Sequence, residues 1–338
     1  MKKNHTKKEK RILALRIFLV AILSLILICL VVFMSYRSKF QGYYDNSTVL
    51  CKIPDISKGF IPQGITYDAS TDNIFLTGYK GDGSHSPIYA INRQSGELVK
   101  KVLLNTVSGE KFNGHAGGLS KYGDTLYLAG STDYCMYPYN ISDVLNAEDS
   151  GFICAKEKTK LQTDKDYIRV SFTSNDANYL YAGEFHKEPV FYTNDSHEVT
   201  IPNGKQKAFL FGFEIDPEGN AVPECVYSIP DNIQGAAFDD GYVFLSKSHG
   251  AKPSKILTYK LNDSLRQGDI NVLGTDVPLY VLTDENADKV TTVPPMSEEL
   301  IVIDSRMYIL FEAASNRYIF GKMLGEDKIY STPVEFFK

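Results

Sequence analysis

Gln63-Gly64-Ile65-Thr66-Tyr67-Asp68, followed by Asn73-Ile74-Phe75-Leu76-Thr77-Gly78, reads as a short strand, a polar turn and a second strand. The same phrase returns as Gly117-Gly118-Leu119-Ser120 with Thr125-Leu126-Tyr127-Leu128-Ala129-Gly130, and as Val170-Ser171-Phe172-Thr173 with Asn178-Tyr179-Leu180-Tyr181-Ala182-Gly183. It returns again as Gln234-Gly235-Ala236-Ala237-Phe238 with Gly241-Tyr242-Val243-Phe244-Leu245, and as Glu298-Glu299-Leu300-Ile301-Val302 with Arg306-Met307-Tyr308-Ile309-Leu310-Phe311. The aligned starts Gln63, Gly117, Val170, Gln234 and Glu298 are 54, 53, 64 and 64 residues apart. A four-stranded propeller blade needs roughly 40–50 residues, so each interval holds one blade and its loops.

Working outward, third strands fall at Ile88–Ile91, Phe209–Phe213, Ile256–Tyr259 and Tyr318–Phe320, and fourth strands at Leu98–Leu104 and Cys225–Ile229. Arg93-Gln94-Ser95-Gly96, Asp216-Pro217-Glu218-Gly219-Asn220 and Asp239-Asp240-Gly241 supply turns. One helical turn is expected near Asp143–Glu148, and little else beyond residue 40 has helical periodicity. The fold class expected is all-β: a β-propeller of five blades of four antiparallel strands, with six as the alternative, preceded by one transmembrane helix. The last blade is completed in one of two ways. Val49-Leu50-Cys51-Lys52-Ile53-Pro54-Asp55 resembles Val226-Tyr227-Ser228-Ile229-Pro230-Asp231, so the N-terminal strand clasps the ring; or Lys328–Phe337 is the fourth strand.

Composition agrees. The 338 residues include 22 Tyr and 19 Phe, and aromatic residues in short runs favour strands. A net charge of −5 gives no footprint for nucleic acid, so none is expected as a partner. Lys2, Lys3, Lys7, Lys8, Lys10 and Arg11 precede an apolar run from Ile12 to Met34, long enough for a hydrocarbon core of ~30 Å. No Ala-x-Ala step follows the run, which favours an uncleaved anchor over a secretory leader. Residues 1–11 then form a cytoplasmic basic tail, 12–34 an anchor whose partner is the lipid bilayer, 35–46 a stalk and 47–338 the propeller, which lies outside the cytoplasm. In that compartment Cys51, Cys135, Cys154 and Cys225 are enough for two disulfides, with Cys135–Cys154 the nearest pair; four free thiols is the other reading.

Phe60-Ile61-Pro62-Gln63-Gly64-Ile65 and Gln234-Gly235-Ala236 resemble bacterial extracytoplasmic β-propellers, in which each inner strand opens with a Gly-flanked polar residue. The resemblance covers residues 60–338 and is architectural, so it transfers no catalytic residue.

Inner strands line a propeller's channel, and its mouth gathers their first residues with the last residues of the second strands. Two registers result: Gln63, His115, Arg169, Gln234, Ser297 and Glu298 in the first, and Tyr79, Glu184, His186, Lys247, His249 and Glu312 in the second. The expected ligand-binding set is Gln63, Tyr79, His115, Arg169, Glu184, Gln234, Lys247, His249, Glu298 and Glu312, with no metal site assigned. His115 stands out because its glycine neighbours in Asn113-Gly114-His115-Ala116-Gly117-Gly118 allow close backbone approach. The bland counterpart is a channel whose polar walls satisfy ordered water. Function is expected to be that of a ligand- or partner-binding module for a small molecule, a cell-wall component or an envelope protein. The alternative is a hydrolase or lyase at the same mouth, metal-dependent or not. Glu184, Glu298 and Glu312 are candidate paired carboxylates for glycoside chemistry, against which the first blade offers Gln63 and the second a glycine at the matching position.

Overall fold

The computed structural model describes residues 6–318, 321 and 325–338. The chain divides into two compact units, one ending at Gly42 and one running from Tyr43 to Lys338. The first is dominated by a helix, Lys7–Arg37, opened by a capping box in which the Thr6 hydroxyl accepts from the Glu9 amide and the Glu9 carboxylate accepts from the Thr6 amide. Thirty-one residues at ~1.5 Å each make a helix longer than a bilayer core. Its apolar side chains face outward all round, with a mean hydropathy of 3.4 over its most apolar window. It is thus long and apolar enough to cross a membrane. The stretch expected as a stalk is helical too, through Ser38–Phe40 and Gln41–Asp45.

The second unit is a five-bladed β-propeller. Blade 1 is built from Phe60–Asp68, Asn73–Lys80, Pro87–Asn92 and Leu98–Asn105, with Gly151–Cys154 added in parallel at its outer edge. Blade 2 uses Leu119–Tyr122, Thr125–Gly130, Cys135–Asn140 and the two-residue strand Thr159–Lys160. Blade 3 uses Val170–Asn175, Leu180–Glu184, Ala208–Ile215 and Ala221–Ile229, and blade 4 uses Ile233–Asp239, Tyr242–Lys247, Ser254–Lys260 and Lys289–Val293. Blade 5 takes Ser297–Ile303, Arg306–Phe311 and Lys328–Pro333 from the C-terminus and Thr48–Lys52 from the N-terminus. Thr48 pairs with Ser331 and Lys52 with Lys328, so the ring is closed by the N-terminal strand.

Two spacings of 64 now have physical causes. Between blade 3's second and third strands, a long loop carries the small hairpin Val199–Ile201 and Gly204–Gln206, within a stretch whose charges suggest only a solvated loop. Between blade 4's third and fourth strands, Arg266–Val272 and Thr275–Val281 form a hairpin that leaves its own blade. It lies parallel against Ala221–Ile229 of blade 3, where Val226 pairs with Leu279. The third strand of blade 5 is Lys328–Pro333, not Tyr318–Phe320; of the latter, Ile319 and Phe320 lie outside the described residues. The expected helical turn is Ile141–Asn146.

Between blades the sheets pack through apolar faces. Leu180 and Ala182 with Phe209, Phe211 and Phe213 of blade 3 bury against Tyr127, Ala129 and Met136 of blade 2. Each fully buried Leu or Phe stabilises the ring by about 1.5–3 kcal/mol. All five cysteines are free thiols; Cys135 is buried in blade 2 and Cys154 is exposed on the edge strand of blade 1.

Candidate functional site

Each inner strand starts on one face of the ring, and each second strand returns to it. At that end four inner strands carry a β-bulge. Register slips between Pro62 and Gly64, between Val170 and Phe172, between Ile233 and Gly235, and between Ser297 and Leu300. The extra residues are Gln63, Ser171, Gln234 and the pair Glu298-Glu299. A bulge bends its strand and re-aims a side chain. Here it turns polar groups into the channel while the rest of each strand keeps its apolar pairing.

Glu299 reaches the channel axis. Its carboxylate accepts from the backbone amides of Ile65 (2.6 Å), Leu119 (3.0 Å) and Thr173 (3.2 Å), one from each of blades 1, 2 and 3. The glycines of the repeat make room for this. A Cβ on Gly118 would lie 2.7 Å from the Glu299 Oε1, and one on Gly64 would lie 2.6 Å from the Leu119 nitrogen. Burial pushes the Glu299 pKa up, and the three amides oppose the shift. On the side away from the mouth, the inner strands enclose a cavity of about 140 Å³ lined in part by Thr66, Ser120, Thr173 and Ser174.

Above Glu299 lies the mouth. Glu298 is 2 % exposed and Gln63 3 %. Gln63 Nε2 donates to Glu312 Oε2 at 3.0 Å, and the Tyr318 hydroxyl donates to Glu312 Oε1 at 2.8 Å. Gln234 Nε2 donates to Glu298 Oε1 at 3.3 Å. Glu298 and Glu312 are neighbours whose charges repel, which favours the protonated form of Glu298. Desolvation raises both; Glu298 is pushed well above the carboxylate range, with the neighbouring charges of Glu312 and Glu299 adding to the effect. Glu312 is raised to about 7, its burial offset by Tyr318, Arg317 and Gln63.

On the other wall, the Tyr79 and His115 rings lie against each other at a tilt of 30°, with centroids 4.6 Å apart. Arg317 donates to the Tyr79 hydroxyl. His115 is accessible from outside, yet the walls around its ring strip enough water, with the Arg317 charge adding to the effect, to lower its pKa to about 4. It is therefore neutral at pH 7. Desolvation first, and Glu312 second, raise the Tyr79 pKa to about 12. A second cleft, of about 170 Å³, opens beside His115 and includes Asn113, Ser131, Thr132 and Asp133.

Six of the ten expected residues thus gather here: Gln63, Tyr79, His115, Gln234, Glu298 and Glu312. The other four are engaged elsewhere. The Arg169 guanidinium donates to the Tyr192 carbonyl at 2.9 Å, because the bulge of blade 3 falls on Ser171 and leaves Arg169 outside the axis. Glu184 is buried in its own blade, accepting from the Arg169 and Phe209 amides and pairing with His197 Nδ1 at 3.0 Å. Lys247 is paired with Asp284 at 2.5 Å. His249 is exposed and sits 6.3 Å from the Phe185 ring. Of the remaining register residues, Ser297 bonds Ser246 at 2.7 Å and His186 bonds Asp231 at 2.8 Å, both within the walls.

Arg317 and Tyr318 were not in either register, since they come from the turn after Phe311 and not from a strand end. Among the described residues, no three or more His, Cys, Asp or Glu side chains are grouped as metal ligands would be.

No protein-family model and no curated protein sequence matches the chain. Solved structures similar to it include a glutaminyl cyclase from Myxococcus xanthus, 11 % identical, with a TM-score of 0.44 over 84 % of this chain and 94 % of that one. Another is the PQQ-bound aldose sugar dehydrogenase from Streptomyces coelicolor, 13 % identical, with a TM-score of 0.48 over 85 % of this chain and 97 % of that one. At these identities and scores the likenesses carry no argument about what this propeller binds.

Proposed function

We propose that this chain is a ligand- or partner-binding module that works through the mouth of the propeller channel, displayed outside the cytoplasm and held at a membrane by residues 12–34. The observation that supports this best is the Glu298–Glu312 pair, in which Glu298 is buried and Glu312 half-buried at the mouth. Withdrawing carboxyls from water is costly, and the pair bonds no backbone amide in the way that Glu299 does. Its partners Gln63, Gln234 and Tyr318 come from blade 1, blade 4 and a loop, which is how a site is assembled from distant segments. A small molecule, a cell-wall component or an envelope protein would present its polar groups to this surface.

One observation favours a second reading, a hydrolase or lyase. A carboxyl whose pKa is raised to about 7, in a mouth that also holds a neutral imidazole, is suited to proton transfer at neutral pH.

The test is a thermal-shift panel of sugars, nucleotides, amino acids and metals on the detergent-solubilised full chain. His115→Ala and Glu312→Gln are expected to weaken the response to any hit by about tenfold or more in apparent affinity, while melting within a few degrees of the parent. If both variants lose many degrees and keep the full response, these residues hold blades together and the mouth is not the site.

A further inference from the structure

Arg317 is an exposed residue, yet its guanidinium is well placed. It lies 5.6 Å from the centroid of the Tyr79 ring and 6.0 Å from that of the Tyr318 ring, and it donates to the Tyr79 hydroxyl. Behind Tyr79 stands the His115 ring, and the Tyr318 hydroxyl is held by Glu312. Glu312 feels the Arg317 charge without bonding to it. A planar cation over phenol rings, next to a desolvated carboxyl, is the arrangement by which proteins hold cationic ligands. Here the chain supplies the cation itself.

We propose that the mouth recognises a cationic nitrogen group, a protonated amine or a guanidinium, seated on Tyr79 and Tyr318 against Glu312, and that Arg317 occupies this seat as an internal stand-in. The inference rests on the mouth being the binding site and adds the charge class of the ligand. The opposite class, an anion drawn in by Arg317, meets a poorer environment. Glu312 and the phenols of Tyr79 and Tyr318 face the seat, the charge of Glu298 acts on Tyr79, His115 stands behind that ring, and Arg317 is the one cation that acts on Glu312 and His115 there among the described residues. An added anion would oppose the Glu312 charge. An added cation is drawn to the ionised Glu312 carboxylate.

That difference gives opposite pH signatures. Glu312 titrates near 7. A cation that needs its ionised form binds about tenfold more tightly at pH 8 than at pH 6, releasing a proton; an anion shows the reverse. The probes are agmatine and an end-blocked arginine tripeptide, titrated calorimetrically into the detergent-solubilised full chain. Arg317→Gln empties the seat, so agmatine is expected to bind about five- to tenfold more tightly to it than to the parent. Arg317→Lys retains a cation and should bind like the parent. Tripeptide binding as tight as agmatine assigns the seat to side chains of a protein partner, and binding of agmatine alone assigns it to a free small molecule. The proposal is overturned if agmatine fails to bind both parent and Arg317→Gln at millimolar concentration, binds Arg317→Gln more weakly, or binds more tightly as pH falls. If a ligand of another charge class binds and depends on His115 and Glu312, the mouth stands and only the cation assignment falls. If a ligand binds untouched by both substitutions, the mouth reading falls as well.

Discussion

Glu299 is the residue on which three blades converge, and its removal should be felt by all three. In Glu299→Ala the amides of Ile65, Leu119 and Thr173 lose their acceptor. At about 1–3 kcal/mol per orphaned buried group, the loss of three acceptors is on the order of 3–9 kcal/mol, while Glu299→Gln keeps an acceptor oxygen and costs about 1–2 kcal/mol. Denaturant melts of the two variants measure this, and an Ala variant as stable as the Gln variant would show that water from the neighbouring cavity replaces the carboxylate. His197 poses a different question. Its ring is held between Glu184, at 3.0 Å, and Asp166, at 3.1 Å, and it packs on Phe209 and Phe211; Asp166 in turn accepts from Asn194 and from the Leu273 amide. Burial acts to lower its pKa, but the two carboxylates outweigh this and raise it to about 9. A folded pKa above the unfolded value contributes stability that is complete below pH ~6.5 and is lost as pH rises through about 9. The melting temperature should therefore fall along that alkaline limb, and His197→Gln should flatten it. A parent whose melting temperature is level from pH 6.5 to 9.5 would rule out an imidazolium at this position.

At the scale of elements, the ring depends on how blade 5 is shared between the chain's ends. Lys328–Pro333 lies between Arg306–Phe311 on one side and Thr48–Lys52 on the other. Ending the chain at Ser315 removes it, so both neighbours lose their partner and two strand edges open. Exposed edges template aggregation. The truncated chain is expected to be insoluble or to melt without cooperativity, as judged by gel filtration and calorimetry. A soluble, cooperative product would mean that the blades are independent hairpin units. The hairpin Arg266–Val281 works in the same way on the outside of blade 3, where it covers the edge strand Ala221–Ile229 in parallel.

At the scale of the whole molecule, the prediction is one of sidedness. The basic residues Lys2 to Arg11 precede the apolar run, and such charge stays cytoplasmic, so a reporter fused after Lys338 should be active only outside the cytoplasm. Activity inside would reverse the orientation, and a mature product lacking residues 1–35 would replace the anchor with a cleaved leader. Fractionation of the tagged full chain settles both.

The repeated inner hairpins and the polar residues at Gln63, Gln234 and Glu298 are determined by sequence alone, because they are local, whereas the closed ring decides five blades over six. Alternating apolar residues and a glycine beside a bulged polar residue are features of one hairpin, repeated until the ring is full. The spacing of 64 before Glu298 carries no such local sign that its extra hairpin joins the preceding blade. Val49–Asp55 already resembles an outer strand, but only closure of the ring chooses it over Lys328–Phe337. The site divides the same way. Arg169 and Glu184 have the right registers, yet a bulge two residues beyond Arg169, at Ser171, and the pull of His197 take them off the axis. Tyr318 looks like the start of a strand, since branched and aromatic residues follow, and Arg317 stands just before it. Tertiary packing instead lays them across the mouth, beside the rings and carboxyls that other blades deliver. Long-range convergence has no period in the sequence, so the fold was legible in the repeats while the composition of the mouth had to come from the closed ring.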